Sequence, residues 1–377
     1  MVGMSLALVL ARAGLSVALL EKGSLPAQLE QSFDGRVSAI SLGSTHILEK
    51  AGAWAGMLPH AQPIQDIRVS DGPTPFFLHY DHREVGDEPF GYIIENRYIR
   101  RALQDAITQH PNLKLLEKCS ISAQTADESG ISITLNDGST LRAQLLVGAE
   151  GRHSAVRDMA GIGLTQWEYK QTAIVCTIAH DKPHHGLAQE RFLAAGPFAV
   201  LPMTQGRSSL VWVEPTERAG LYMELPDEEF VQEITERVGD YLGTLSLCSE
   251  RFTYPLSLLH AKHYTAARVA LVGDAAHGMH PIAGQGVNLG FRDVDDLAGM
   301  LVEQHVIGRD LGNEALLARY GRLRRLDNVT MLAVTDGLNR LFSTDLLPVQ
   351  LARDLGLWAV GKMPGIKRIL MRHAMGL

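Results

Sequence analysis

The chain has 377 residues, 46% hydrophobic and 20% charged, enough to bury a large core and more than one compact domain usually holds, so one large domain with an insertion, or two domains, is expected. A formal net charge of -7 removes the general electrostatic reason to seek nucleic acid, whose affinity comes from basic groups displacing counterions at phosphates. Cys119, Cys176 and Cys248 stand far apart and in no metal-ligand spacing, which argues against a disulfide framework or a zinc site and reads each as a small buried residue; no apolar run approaches the ~20 residues that span a bilayer.

Met4 to Ala13 has helix-forming composition, with Arg12 suited to the last turn and Gly14 to the stop. Ala11-Arg12-Ala13 superficially resembles a leader-cleavage site, but no basic segment precedes it and a second apolar run ending in an acid follows. Leu15 to Leu20 reads as a buried parallel strand ended by Glu21. Helix, glycine, strand and acid form the second half of a dinucleotide-binding βαβ unit, in which the acid accepts hydrogen bonds from a ribose and a glycine near the helix start allows close packing on the sheet. Only Gly3, in the place of the third fingerprint glycine, is present. The preferred expectation is a start codon assigned too late by about one strand and turn; the other is a chain that lacks the amides cradling a pyrophosphate. An ordinary buried αβ pair would give the same segment.

Asn96 to Leu103 opens an amphipathic helix. Leu145 to Val147 is an apolar strand running into Gly148-Ala149-Glu150-Gly151, and Arg268 to His277 repeats that design with Gly273-Asp274. His280-Pro281-Ile282-Ala283-Gly284-Gln285-Gly286 follows, and Val287-Asn288 starts a helix. Between roughly 166 and 254, short β-rich runs at Thr172 to Ile178, Phe198 to Met203 and Ser208 to Val213 alternate with Gly/Pro turns, as in an inserted antiparallel sheet. From Asp336 onward apolar and basic residues alternate, including Lys362, Lys367, Arg368 and Arg372, which suits an anionic membrane surface, a partner, or a helix capping the chain's own core.

Gly148 to Gly151 with Ser154 and Arg157 resembles the DG motif of flavoprotein aromatic hydroxylases, with Glu150 in place of the usual Asp, and Gly273-Asp274 through Gly290 resembles their GD motif. Glu190-Arg191-Phe192 and Gly196 to Met203 resemble the substrate-domain segment of the ubiquinone-pathway members, particularly the octaprenyl-methoxyphenol hydroxylase group, and Phe33 to Ile40 resembles the loop after their ribose acid. The resemblance covers nearly the whole chain and implies an α/β fold: a Rossmann-like FAD-binding domain at 1–70, 96–165 and 255–335, a mainly antiparallel substrate domain at 71–95 and 166–254, and a helical segment at 336–377. It implies FAD, with NAD(P)H and O2 as co-substrates, a C4a-hydroperoxyflavin, and hydroxylation of a prenylated phenol. The protein is expected in the cytoplasm, free or peripheral at the inner membrane, with membrane or complex contact through its C-terminal segment.

The FAD contacts so implied are Gly3, Glu21, Arg36, Arg97, Glu150, Gly273, Asp274, Gly284, Gln285, Gly286, Val287 and Asn288; Pro281, Phe198 and Leu201 would line the substrate pocket. Chemistry agrees with several of these. Asp274 at a strand end can accept from a ribityl hydroxyl, Gly284 and Gly286 let the backbone approach a flat ring, and the helix start at Val287 offers amides to the ring's anionic edge. Arg36 also fits a solvated loop, and His277 and His280 fit structural roles. No general base stands out. A flavin halogenase, a prenyl-chain reductase and a flavin-free scaffold subunit are the rival readings; Trp212 stands alone, without the halogenase WxWxIP signature.

Overall fold

The structure, a computed structural model, describes residues 1–25, 35–72, 77–279, 284–342 and 363–377. Leu, Ala and Met drive the first helix, Val2–Arg12, which buries Met4, Leu6, Ala7, Leu8, Leu10 and Ala11. It ends at Gly14, whose φ of +92° only glycine tolerates readily.

The chain then enters strand Val17–Glu21, parallel to Leu113–Glu117 with Glu21 opposite Glu117. This strand is half-exposed rather than buried as expected, because among the described residues these two strands pair only with each other. A second parallel pair, Leu146–Gly148 with Val269–Leu271, carries Thr265–Ala266 on its outer edge. Both pairs, the first helix and helix Gly286–Val306 share one core that includes Leu8, Leu103, Leu271 and Phe291. Each such fully buried side chain contributes about 1.5–3 kcal/mol.

Among the described residues the largest sheet has nine strands. Its order is His277–Gly278, Phe252–Ala261, Leu164–His180, Arg207–Pro215, Gly196–Met203, Leu187–Leu193, Asp66–Asp71 and Phe77–Asp81, with Leu245–Leu247 added beside Leu164–His180. Its pairing reaches beyond the segments expected to form it, into 66–71 and past 255. The expected segment 71–95 is shared between sheets, since Gly91–Glu95 pairs with Val37–Ser41 and Gln62–Ile64. Helices Thr216–Glu224 and Asp227–Val238 cover one face of the large sheet, packing Ala219, Phe230 and Ile234 on Phe198, Leu210 and Trp212.

Among the described residues the C-terminal end carries helices Glu314–Phe342 and Pro364–Met375. The last helix caps the chain's own core: Met371 and Met375 are buried with Leu42, Phe90, Ile93 and Met203, and Lys367 pairs with Glu84 at 2.5 Å. Only Cys176 is buried as expected; Cys119 is half-buried, and Cys248, just after the short strand Leu245–Leu247, is exposed. Among the described residues no helix is long and apolar enough to cross a membrane, and no metal-binding cluster of His, Cys, Asp or Glu occurs.

Candidate cofactor and active site

Three elements distant in sequence meet where the first helix begins. A Cβ added to Gly3 would stand 2.8 Å from that of Ala149, and one at Gly290 would stand 2.7 Å from Val2 Cγ2 and 3.4 Å from Gly273 Cα. Absence of side chains is what lets helix, turn and late helix approach one another. The Met1 amine is buried among charges: burial and Arg100 lower its pKa while Glu21 and Asp274 raise it. Glu21 and Asp274 therefore border the same recess.

Asp274 sits in the tight turn Gly273–Ala275 that follows strand Val269–Leu271, and Gly273 has a φ of +59°. Its side chain is 49% exposed. The enclosing protein nevertheless pushes its carboxyl above the usual range, against the pull of His277, Arg152 and the Met1 amine. Open area together with close enclosure describes a group on the wall of a concave recess. Arg152 Nε lies 3.7 Å away, and its guanidinium is held by the carbonyl and hydroxyl of Ser257.

Beneath this turn lies Asp293, fully buried on helix Gly286–Val306. One oxygen accepts from the Gly273 amide at 2.9 Å and meets His277 Nε2 at 2.6 Å; the other accepts from Arg324 Nε at 2.7 Å. Burial alone would raise the Asp293 pKa, but His277 and Arg324 hold it below the ordinary value. His277 is thus a structural residue that fixes the turn presenting Asp274.

The glycine loop also approaches its neighbours closely. Gly284 has a φ of +61°, and a Cβ there would stand 3.1 Å from the Ala39 Cβ. Among the described residues Leu289 donates the first bond of this helix, to Gln285 O at 3.1 Å, so the amides of Gly286, Val287 and Asn288 lie in its first turn, at the positive end of the helix. The Asn288 side chain is engaged by the protein itself, which leaves the expected contact to its backbone amide. It is 1% exposed, accepts from Ser41 N at 3.0 Å and Ser44 Oγ at 2.9 Å, and donates to Ala39 O at 2.8 Å. Pro281 and His280 lie outside the described residues.

Other expected contacts divide. Glu21 accepts from the Gly23 amide at 3.0 Å. Exposed Arg36 lies 5.5 Å from the Tyr254 ring centroid, beside Gly35, which is pressed against Phe252. Arg97 is 2.7 Å from Glu95, whose other oxygen accepts from Arg207 at 2.9 Å. Glu150 is exposed and hydrogen-bonds its own chain. Its extra methylene lets the carboxylate fold back onto Ser154 Oγ at 2.5 Å and Val156 N at 3.1 Å, capping helix Ala155–Met159.

The two expected pocket residues lie on opposite faces of strand Gly196–Met203. Phe198 is in the core against Trp212 and the covering helices, ring centroids 6.1 Å apart, which removes it from any pocket. Leu201 is on the other face, half-buried in the cluster that holds Ala39 and Met203. Sequence reading missed Arg152, Asp293, Arg324 and Glu95. An acid on the buried side of the late helix is the one local signal that could have found Asp293.

Parallel strand pairs, a glycine turn at a strand end and a glycine loop opening a helix place the chain in the class of α/β dinucleotide-binding flavoproteins. A model of the FAD binding domain family matches residues 1–333. Ubiquinone hydroxylase UbiL of Rhodospirillum rubrum is 49% identical over 376 residues, covering 100% of this chain and 87% of its own length. The 3-demethoxyubiquinol 3-hydroxylase of Escherichia coli is 33% identical, with 100% and 96% covered. A solved structure of PqsL, a probable FAD-dependent monooxygenase from Pseudomonas aeruginosa, superposes with a TM-score of 0.78 at 25% identity, over 95% of this chain and 96% of that one. The chain belongs to the FAD binding domain family and is a flavin-dependent aromatic monooxygenase.

Proposed function

We propose that this enzyme hydroxylates the ring of a prenylated phenol in ubiquinone biosynthesis, using NAD(P)H and O2. Two observations support the reading: Asp274 and Glu21 border one recess at the start of the first helix, and Gly284, just before the late helix, packs on Ala39, which shares an apolar cluster with Leu201. FAD fits these residues. Asp274 would accept from the ribityl chain and Glu21 from the ribose; Arg36 and Arg97 would lie along the phosphates and ribityl chain; Gly3 and Gly273 would give the close packing that shapes the recess. Gly284, Gln285, Gly286, Val287 and Asn288 would meet the flavin ring through their backbone.

Bound FAD supplies electron transfer from NAD(P)H and activation of O2. The chain's own part is to orient the ring, keep water from it, and steady negative charge with the amides of the late helix. Leu201 and its apolar neighbours suit a prenylated ring. On the outer side of helix Pro364–Met375, Ile366, Ile369 and Leu370 are exposed together with Arg368 and Arg372, which suits peripheral contact with an anionic cytoplasmic membrane surface where such substrates partition.

Purified protein tests the reading: it should be yellow with bound flavin and should convert 2-farnesylphenol to a catechol or hydroquinone with consumption of NAD(P)H. A colourless protein that cannot be reconstituted with FAD would overturn it.

A further inference from the structure

Among the described residues Glu190 and Asp71 are carboxylic acids on the sheet face that carries Leu201, and Glu190 stands nearer to it. Glu190, in strand Leu187–Leu193, is opposite Ala199 and beside Val69. Side chains paired in register share a face, so a row can be followed across the sheet. Phe252 pairs with Val175, Val175 with Val211, Val211 with Ala199, Ala199 with Glu190 and Glu190 with Val69. Every member but Glu190 is apolar, and Gly35, next to Arg36, packs on Phe252 at the far end. Leu201, two residues from Ala199, is a diagonal neighbour of Glu190 at about 7–8 Å. Leu201 shares its cluster with Ala39, the residue against Gly284. The row and this diagonal thus connect Glu190 to the glycine loop and to the Arg36 loop.

Among the described residues Glu190 has neither a side-chain hydrogen bond nor an ion pair. Asp71, opposite Phe192, is the other acid on its face of the neighbouring strand. Arg191 points to the opposite face and donates to Arg237 O at 2.6 Å; Arg68, also on that face, lies 4.8 Å from the Phe77 ring centroid. On the packed helices, Asp336 accepts from Tyr169 at 3.1 Å and Lys367 is paired with Glu84. Among the described residues no charge offsets the enclosure of Glu190, and burial pushes its carboxyl up to about 7.

An enclosed polar group without a partner calls for one. A phenol supplies an apolar body for the row and a single O–H donor. Resting on the phenol-hydroxylase reading above, we propose that Glu190 hydrogen-bonds the phenolic hydroxyl of the substrate and takes its proton as the ring is oxygenated. The O–H bond breaks, its electron pair stays on the ring oxygen and raises the nucleophilicity of the ortho and para carbons, and the proton passes to the carboxylate and then to solvent. A base that titrates close to the working pH is the efficient choice for this transfer.

The test compares the holoenzyme with Glu190→Gln and Glu190→Asp, measuring product formed from 2-farnesylphenol against pH, bound flavin, thermal midpoint and NAD(P)H oxidation. Wild type should gain rate as pH rises through about 7. Glu190→Gln should keep flavin and midpoint, lose the limb and form product about 10²–10⁴-fold more slowly, while Glu190→Asp recovers part of the limb. Glu190→Gln with the wild-type rate and limb overturns this assignment alone. Loss of flavin or early melting in both variants makes Glu190 a structural acid and also overturns it. Wild type that holds flavin but leaves the phenol untouched overturns this assignment together with the reading it rests on.

Discussion

Asp293 and His277 meet at 2.6 Å with both side chains out of reach of water, directly under the turn that carries Asp274. Asp293→Ala would strand Arg324 and His277 without their shared acceptor. A loss of about 3–5 kcal/mol is expected, read from denaturant midpoints, together with reduced flavin content because the Gly273 amide is released. Since the folded-state pKa of Asp293 lies below its unfolded value, its contribution is complete above about pH 4 and is lost as pH falls through the folded value. Asp293→Asn should flatten that acid limb; an unchanged acid limb would contradict the assigned pairing.

Asp274 has the opposite sign. Its folded pKa is raised mainly by enclosure, so its ionised form disfavours the fold, and stability falls as pH rises from the ordinary carboxylate range through the folded value. Asp274→Asn should therefore raise the thermal midpoint of the flavin-free protein at neutral pH. It should also weaken FAD by roughly ten- to a hundredfold, the size of one hydrogen bond to a charged acceptor. Flavin titration and melting curves of the same samples check both halves.

Phe198 and Leu201 should separate stability from substrate recognition. Phe198→Ala removes a core ring and is expected to cost about 3–5 kcal/mol, with KM for the phenol unchanged in protein that remains folded. Leu201→Ala should leave the fold largely intact and raise KM by about tenfold. A KM effect confined to Phe198 would reverse the face assignment.

Asn288 ties the late helix to strand Val37–Ser41 and its following helix through Ser41, Ser44 and Ala39. Asn288→Ala leaves the buried Ser41 amide unpaired and should lower stability by about 1–3 kcal/mol. Added FAD should restore part of the lost thermal midpoint, because ligand binding to the folded state stabilises it.

Features set by short stretches of chain were legible in the sequence. Gly3 against the turn at Ala149, the Gly273-Asp274 turn and the helix start at Gly286 each depend on local backbone freedom or a strand-end acid. Features set by partners far along the chain were not. Phe198 and Leu201 read alike until the register with Arg207–Pro215 assigns them to faces, and Glu190 is an ordinary strand acid until its apolar row is assembled. The hydrogen bonds of Glu150 to Ser154 and Val156, and of the Asn288 side chain to Ser41, Ser44 and Ala39, were not legible either, because which neighbour a polar side chain reaches is decided by the folded backbone. The strand Val17–Glu21 was overread as buried because apolar composition does not reveal how many neighbours a strand has.

The two arginines on Glu95 have a practical corollary for anyone reshaping this enzyme. Arg97 comes from the helix beside the cofactor recess and Arg207 from the large sheet, and one acid serves both. Arg207 pairs with Met203 on the sheet face that carries Leu201, so replacing it there would leave the acid to Arg97 alone, and substrate range and flavin affinity are expected to drift together under selection for either one.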